Sequence, residues 1–139
     1  MVRLTRDAID ERQLTAGVRL ASCGAVVLFL GTVRDVTGDD VTVALDYEGY
    51  PGMAEKVLGE IEADVRSRWP IGAIAIEHRL GRLEVGEISV AIAVSCPHRA
   101  EAFEACRYAM DQVKRLAPIW KKENWADGRT AWVHPGTPG

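Results

Sequence analysis

The chain has 139 residues, 47% of them hydrophobic, with a formal charge of −3. A chain of this length buries about two-thirds of its unfolded surface, so one compact domain over 1–139 with a genuine core is expected. The acidic balance argues against a nucleic-acid binder or a membrane-surface protein, both of which carry a basic excess over a whole face, so any anion site must be local.

Val2–Thr5 reads as a short strand and 9–21 as a helix, with Asp7 or Asp10 as its cap. GAVVLFLGTV, 24–33, is apolar and β-branched with glycines near both ends, which predicts a strand buried on both faces; Arg34 and Asp35 then leave its C-terminal end. After a turn at 37–40, VTVALDY (41–47) alternates Val41, Val43, Leu45 and Tyr47 on one side and is expected to return antiparallel to that strand. Val57, Leu58, Ile61 and Val65 recur at helical spacing over 53–69, until Pro70 and Gly72 stop the helix. AIAIEHRL (73–80) and EISVAIAVSC (87–96) read as two strands joined by the loop GRLEVG. A helix is expected from Pro97, with Phe103, Cys106, Met110, Val113 and Ala117 as one apolar stripe, ending at Pro118. Two strands around the Asp127-Gly128 turn complete the order, and 134–139 reads as a loose tail. Strands and helices mix without strict alternation, which places the chain in the α+β class.

Three cysteines, Cys23, Cys96 and Cys106, lack metal or disulfide spacing and read as buried reduced thiols. No apolar run approaches the roughly 20 residues that span a bilayer and the first residues carry no signal-peptide pattern, so the cytoplasm is the expected compartment. Nucleophile elbows, phosphate loops and paired histidines at ligand spacing are all absent, so no metal and no cofactor is expected. Charge is uneven: 35–64 holds nine acids and one base, 99–122 six bases and three acids. Solvated helix faces account for this as readily as an anion site does.

Four features bear on chemistry. Cys96 precedes a helix start, where a thiol is acidified, although an unreactive cysteine closing an apolar strand is the commoner case. His98 and Arg99 fall in the first turn of that helix, where free N–H groups and the dipole favour an anion; exposed surface side chains are the equal alternative. Arg34 leaves a strand end, a rigid mount for a guanidinium but also an ordinary surface position. Lys114 near the helix end and Lys121 on the following strand can be brought together by the Pro118 turn, with Lys122 on the opposite face. Ammonium groups crowded beside Trp120 and Trp125 would lose a proton more easily; lysines protecting a sheet edge are the simpler account.

Six segments in order, GAVVLFLGTVRD, YEGYPGMAEK, RWPIG, HRLGRLEVGE, PHRAEAFEAC and KRLAPIWKKE, together resemble the large, catalytic subunit of molybdopterin synthase, the MoaE family, over about 24–133. The resemblance implies an α/β-hammerhead fold with mixed and antiparallel sheets and about three helices. It implies an enzyme of molybdenum-cofactor biosynthesis, a sulfurtransferase that converts cyclic pyranopterin monophosphate into molybdopterin. Both dithiolene sulfurs come from the C-terminal glycine thiocarboxylate of a small ubiquitin-like subunit, in a heterotetramer built on a homodimer. By position, Thr32, Val33, Arg34, His98, Arg99, Lys122 and Glu123 are implied to bind substrate, with Phe29 and Met110 as apolar walls. Lys114 and Lys121 are implied to bind substrate and to act beside the thiocarboxylate. The family's further arginine after the final strand is replaced here by HPGTPG, leaving Arg129 or His134 as substitutes. Two alternatives stand beside this reading: a non-catalytic docking partner of a ubiquitin-like sulfur carrier, and a sulfurtransferase dependent on Cys96.

Overall fold

The computed structural model describes residues 1–134; the remainder of the expected tail, 135–139, lies outside the described residues. The elements are β1 (Val2–Thr5), α1 (Glu11–Val18), β2 (Ala25–Thr32), β3 (Val36–Thr37), β4 (Asp40–Gly49), α2 (Pro51–Arg68), β5 (Ala73–Arg79), β6 (Gly81–Glu84), β7 (Ile88–Cys96), α3 (Arg99–Leu116), β8 (Ile119–Trp125) and β9 (Thr130–Val133). Three helices and two sheets make the expected α+β arrangement. The first sheet has the order β1-β5-β7-β2, with β1 parallel to β5 and the other pairs antiparallel. The second is antiparallel, β3-β4-β8-β9, with β6 on the other side of β4.

Helices cover both faces of the first sheet. Ile92, Val94 and Ile76 pack with Leu58, Ile61 and Val65 of α2 and Ala102, Ala105, Ala109 and Val113 of α3 in the larger core. Each fully buried aliphatic side chain contributes about 1.5–3 kcal/mol through removal from water. The small residues Ala75, Ala91 and Ala93 on the opposite face admit α1, which seats Leu14 and Val18 beside Ile9. The two central strands, β5 and β7, are therefore covered on both sides, so the large-and-small alternation of 87–96 marks two different packing partners and not one wet face.

Several expected boundaries and partners move. Asp10, not Asp7, caps α1, its Oδ1 accepting from the amides of Arg12 and Gln13 at 3.1 and 3.2 Å, and the helix stops at Val18, short of 21. The strand at 24–33 is not buried on both faces: β2 is a sheet edge, and Val26 and Phe29 are exposed. β4 does not return along β2 but enters the second sheet, and a register shift between Thr42 and Ala44 breaks the alternation, so Leu45 and Tyr47 are buried while Val41 and Val43 are exposed. The supposed loop GRLEVG contains β6, reached through Gly81 at φ +95, a conformation open to glycine. Pro97 lies before α3, not within it: His98 is the N-cap and Arg99 the first helical residue. Phe103 is exposed, so the buried stripe of α3 runs through Ala102, Ala105, Cys106, Ala109 and Val113.

Candidate functional site

The two sheets meet along a cleft of about 340 Å³. Three stretches wall it, over a floor drawn from β4, β5 and β7. The end of β2 supplies Phe29 and Gly31, followed by Thr32 and Arg34; the last turns of α3 supply Met110, Asp111, Val113 and Lys114; β8 supplies Ile119, Lys121 and Glu123; and Thr42, Leu45, Tyr47, His78, Ser89 and Val90 form the floor. Gly31 is required where it stands, because a Cβ there would lie 2.6 Å from Val90 Cγ1 on the neighbouring strand. α3 ends with Ala117 as its cap and Pro118 cannot extend it, so the chain reverses at once into β8. That reversal brings Lys114 and Lys121 into one cleft, as the spacing predicts.

Three cations, Arg34, Lys114 and Lys121, face two carboxylates, Asp111 and Glu123, so the cleft carries a formal excess of one positive charge on a chain that is acidic overall. Glu123 is 5% exposed and lies 3.3 Å from Lys121 Nζ, while Thr42 Oγ1 donates to its other oxygen at 3.4 Å. Lys114 and Lys121 share the cleft, with the Glu123 carboxylate beside Lys121. Lys122, on the far face of β8, pairs with Asp46 at 3.6 Å and sits over Trp132, so the structure places it away from the cleft.

Of the other expected binding residues, Thr32, Arg34, Phe29, Met110 and Glu123 line the cleft. Val33 does not; its side chain is in the core and its backbone bonds Glu87 and Gly86. His98 and Arg99 are exposed at the opposite end of α3. Arg99 and Lys114 are 15 positions apart, hence roughly 22 Å along the helix axis. Arg129 is held by Asp40 and Asp127 and lies over Trp125, outside the cleft lining. His134 Nε2 donates to the carbonyl of Ala117 at 2.9 Å, which puts it beside a residue of the cleft wall.

Tyr47, His78 and Ser89 were not foreseen as cleft residues. Burial raises the Tyr47 pKa, a contact with Ser89 works against that, and Glu123 adds to it, so the phenol keeps its proton. Burial lowers the His78 pKa to about 4. The available signal is a histidine between Glu77 and Arg79 at the polar end of the 73–80 strand. Cys96 is fully buried and its thiol is held above the usual range, first by burial and then by Cys23, opposite to the acidification that its place before a helix suggests. Cys106 is likewise pushed up to about 11 by burial, and Cys23, expected to be buried, is partly exposed. Among the described residues no cluster of His, Cys, Asp or Glu is placed to hold a metal, and no helix is long and apolar enough to cross a membrane.

A sheet covered by helices on both faces, joined to a second sheet along a cationic cleft, defines an α+β protein able to hold a small anionic molecule. The chain belongs to the MoaE protein family, whose model matches residues 4–116. It is 54% identical over 114 residues to the molybdopterin synthase catalytic subunit of Nostoc sp., covering 81% of this chain and 69% of that one. The crystal structure of molybdopterin synthase from Staphylococcus aureus superposes with a TM-score of 0.88 at 40% identity, covering 94% of each chain. A complex of subunits 1 and 2 of molybdopterin-converting factor from Helicobacter pylori has the same fold, with a TM-score of 0.77 at 20% identity over 95% of this chain and 89% of that one.

Proposed function

We propose that this chain is the catalytic subunit of a molybdopterin synthase, transferring two sulfurs from a thiocarboxylated small subunit to cyclic pyranopterin monophosphate. The observation that carries the reading is the convergence of Lys114, Lys121 and Arg34 on one cleft in a chain of net negative charge. A C-terminal glycine tail has no side chains to accommodate and fits a narrow cleft walled by Phe29 and Met110. The thiocarboxylate sulfur bonds to the pterin, water then adds to the resulting thioester and releases the tail as a carboxylate, and the oxyanion of that addition is stabilised by the two ammonium groups, which also supply protons. Glu123 keeps Lys121 aimed inward. Arg34 grips the substrate phosphate, bidentate contact being the strength of a guanidinium.

His98 and Arg99 cannot reach the cleft of their own chain, given the length of α3. The functional unit is therefore a two-fold homodimer in which the second copy supplies this anion-binding pair, with one small subunit on each half. Lys122 faces outward and serves the sheet surface through Asp46 and Trp132. The imported sulfur explains why the buried Cys96 has no part in the chemistry.

The test is direct. Mixing this chain with a thiocarboxylated ubiquitin-like partner and the cyclic pterin should give dithiolene product, and Lys114→Ala should abolish it. Tight binding of the partner without any product would instead make the chain a docking protein.

A further inference from the structure

The floor of the cleft holds a polar group that none of these roles uses. His78 is 5% exposed and lines the cleft near the end of β5. Its Nδ1 lies 2.8 Å from the carbonyl oxygen of Arg79. A carbonyl can only accept, so Nδ1 carries the proton and donates, and the neutral ring is left with an unprotonated Nε2. Tyr47 meets the ring edge-on at 5.1 Å between centroids, an aromatic contact that fixes the imidazole plane. Ser89, which contacts Tyr47 on the floor, already donates to the Gly31 carbonyl at 3.2 Å. Nε2 forms no hydrogen bond within the described residues and is not one of the fully buried unpaired polar atoms, so it is open to an occupant of the cleft.

The other polar side chains of the cleft are cations that donate, carboxylates that carry charge, and the hydroxyls of Thr32, Thr37, Thr42, Tyr47 and Ser89, which donate as well as accept. Nε2 of His78 is a neutral group that only accepts, held in one tautomer and one plane. We infer that Nε2 of His78 accepts a hydrogen bond from an N–H of a bound reactant and so positions it against Lys114 and Lys121. The inference rests on the reading above, under which two reactants bring N–H groups into the cleft: the pterin ring and the last peptide link of the glycine tail. An N–H is held there and a carbonyl is turned away, which selects one orientation of the ligand.

Two substitutions separate this role from a structural one. His78→Asn keeps a donor for the Arg79 carbonyl and deletes the acceptor at Nε2; His78→Gln reaches the Nε2 position and restores an acceptor. In assays of dithiolene formation by the full chain with its partner, His78→Asn should raise KM roughly ten- to a hundredfold for one reactant, with kcat little changed, and His78→Gln should recover most of it. Binding is followed separately in histidine ¹⁵N spectra of the wild type. The Nε2 signal should move on adding the cyclic pterin alone if the pterin donates. It should move on adding a partner ending in an unreactive glycine carboxylate if the tail does. Product formation with no movement of Nε2 in either titration, or equal KM values for the two variants and the wild type, overturns the inference. Absence of product from the wild type overturns the proposed function instead, and the two titrations then decide the role of His78 by themselves.

Discussion

Gly31→Ala is the most informative single substitution in the fold around the cleft. The new methyl would sit 2.6 Å from Val90 Cγ1, about 1 Å inside ordinary carbon–carbon contact. Val90 cannot easily yield, being 5% exposed on the central strand and opposite Gly31 in the β2–β7 register. Overpacking of this kind costs about 1–3 kcal/mol, so a loss near 2 kcal/mol is expected. Val90→Ala removes the obstructing methyls and costs about 1.6 kcal/mol at ~0.8 kcal/mol for each buried carbon. In the double variant the methyl introduced at position 31 occupies the vacated space, so the destabilisation should fall short of the summed single losses by at least about 1 kcal/mol. Urea unfolding of the four proteins, with unchanged m-values, gives that coupling. Additivity within about 0.5 kcal/mol would show that Gly31 is there for some reason other than the close approach of Val90.

Neither Arg99→Ala nor Lys114→Ala homodimers should make product, whereas mixing the two should restore part of the activity by forming one intact site across the interface; no recovery in the mixture counts against a shared site. Cys96→Ala should retain full sulfur transfer from a thiocarboxylated partner, and a dead but folded variant would reinstate a cysteine route. Glu87 is held below its usual 4.5 first by the backbone N–H of Glu84 and then by Arg79, so its contribution to stability is present above about pH 4.5 and fades as pH falls through the lower folded value. Glu87→Gln should therefore lower the urea midpoint at neutral pH, with the gap to wild type narrowing in acid; a gap that stays constant down to about pH 3 would refute the linkage.

Helices were legible where one face is buried. The Leu58, Ile61 and Val65 spacing located α2, and the Pro118 stop with lysines on either side located the reversal that joins Lys114 to Lys121. Strand partners were harder, because partner choice depends on long-range packing. The run at 41–47 alternates like a simple hairpin strand, yet a one-residue irregularity at Thr42/Ala44 inverts which side is buried and lets β4 join β6 and β8. In β6 only Leu83 is buried, too little apolar signal to separate four residues from a loop. The two lysines of the cleft lie in the base-rich stretch 99–122, whereas Arg34 stands alone at a strand end and Tyr47, His78 and Ser89 enter the cleft only through tertiary folding. Phe103 misled for the opposite reason: helical spacing fixes an angle, and α3 turns that angle outward.

The cleft draws its groups from segments as remote in the chain as Phe29 and Glu123, and those segments belong to different sheets. It therefore lasts only as long as its least durable contributor. If β8 and β9 peel away by local opening while the helix-covered sheet stays intact, the amines are dispersed and the cavity ceases to exist without global unfolding. An occupant touching both sides ties them together, so amide exchange in β8 should slow as the cleft fills, coupling the chemistry to the lifetime of a single peripheral strand.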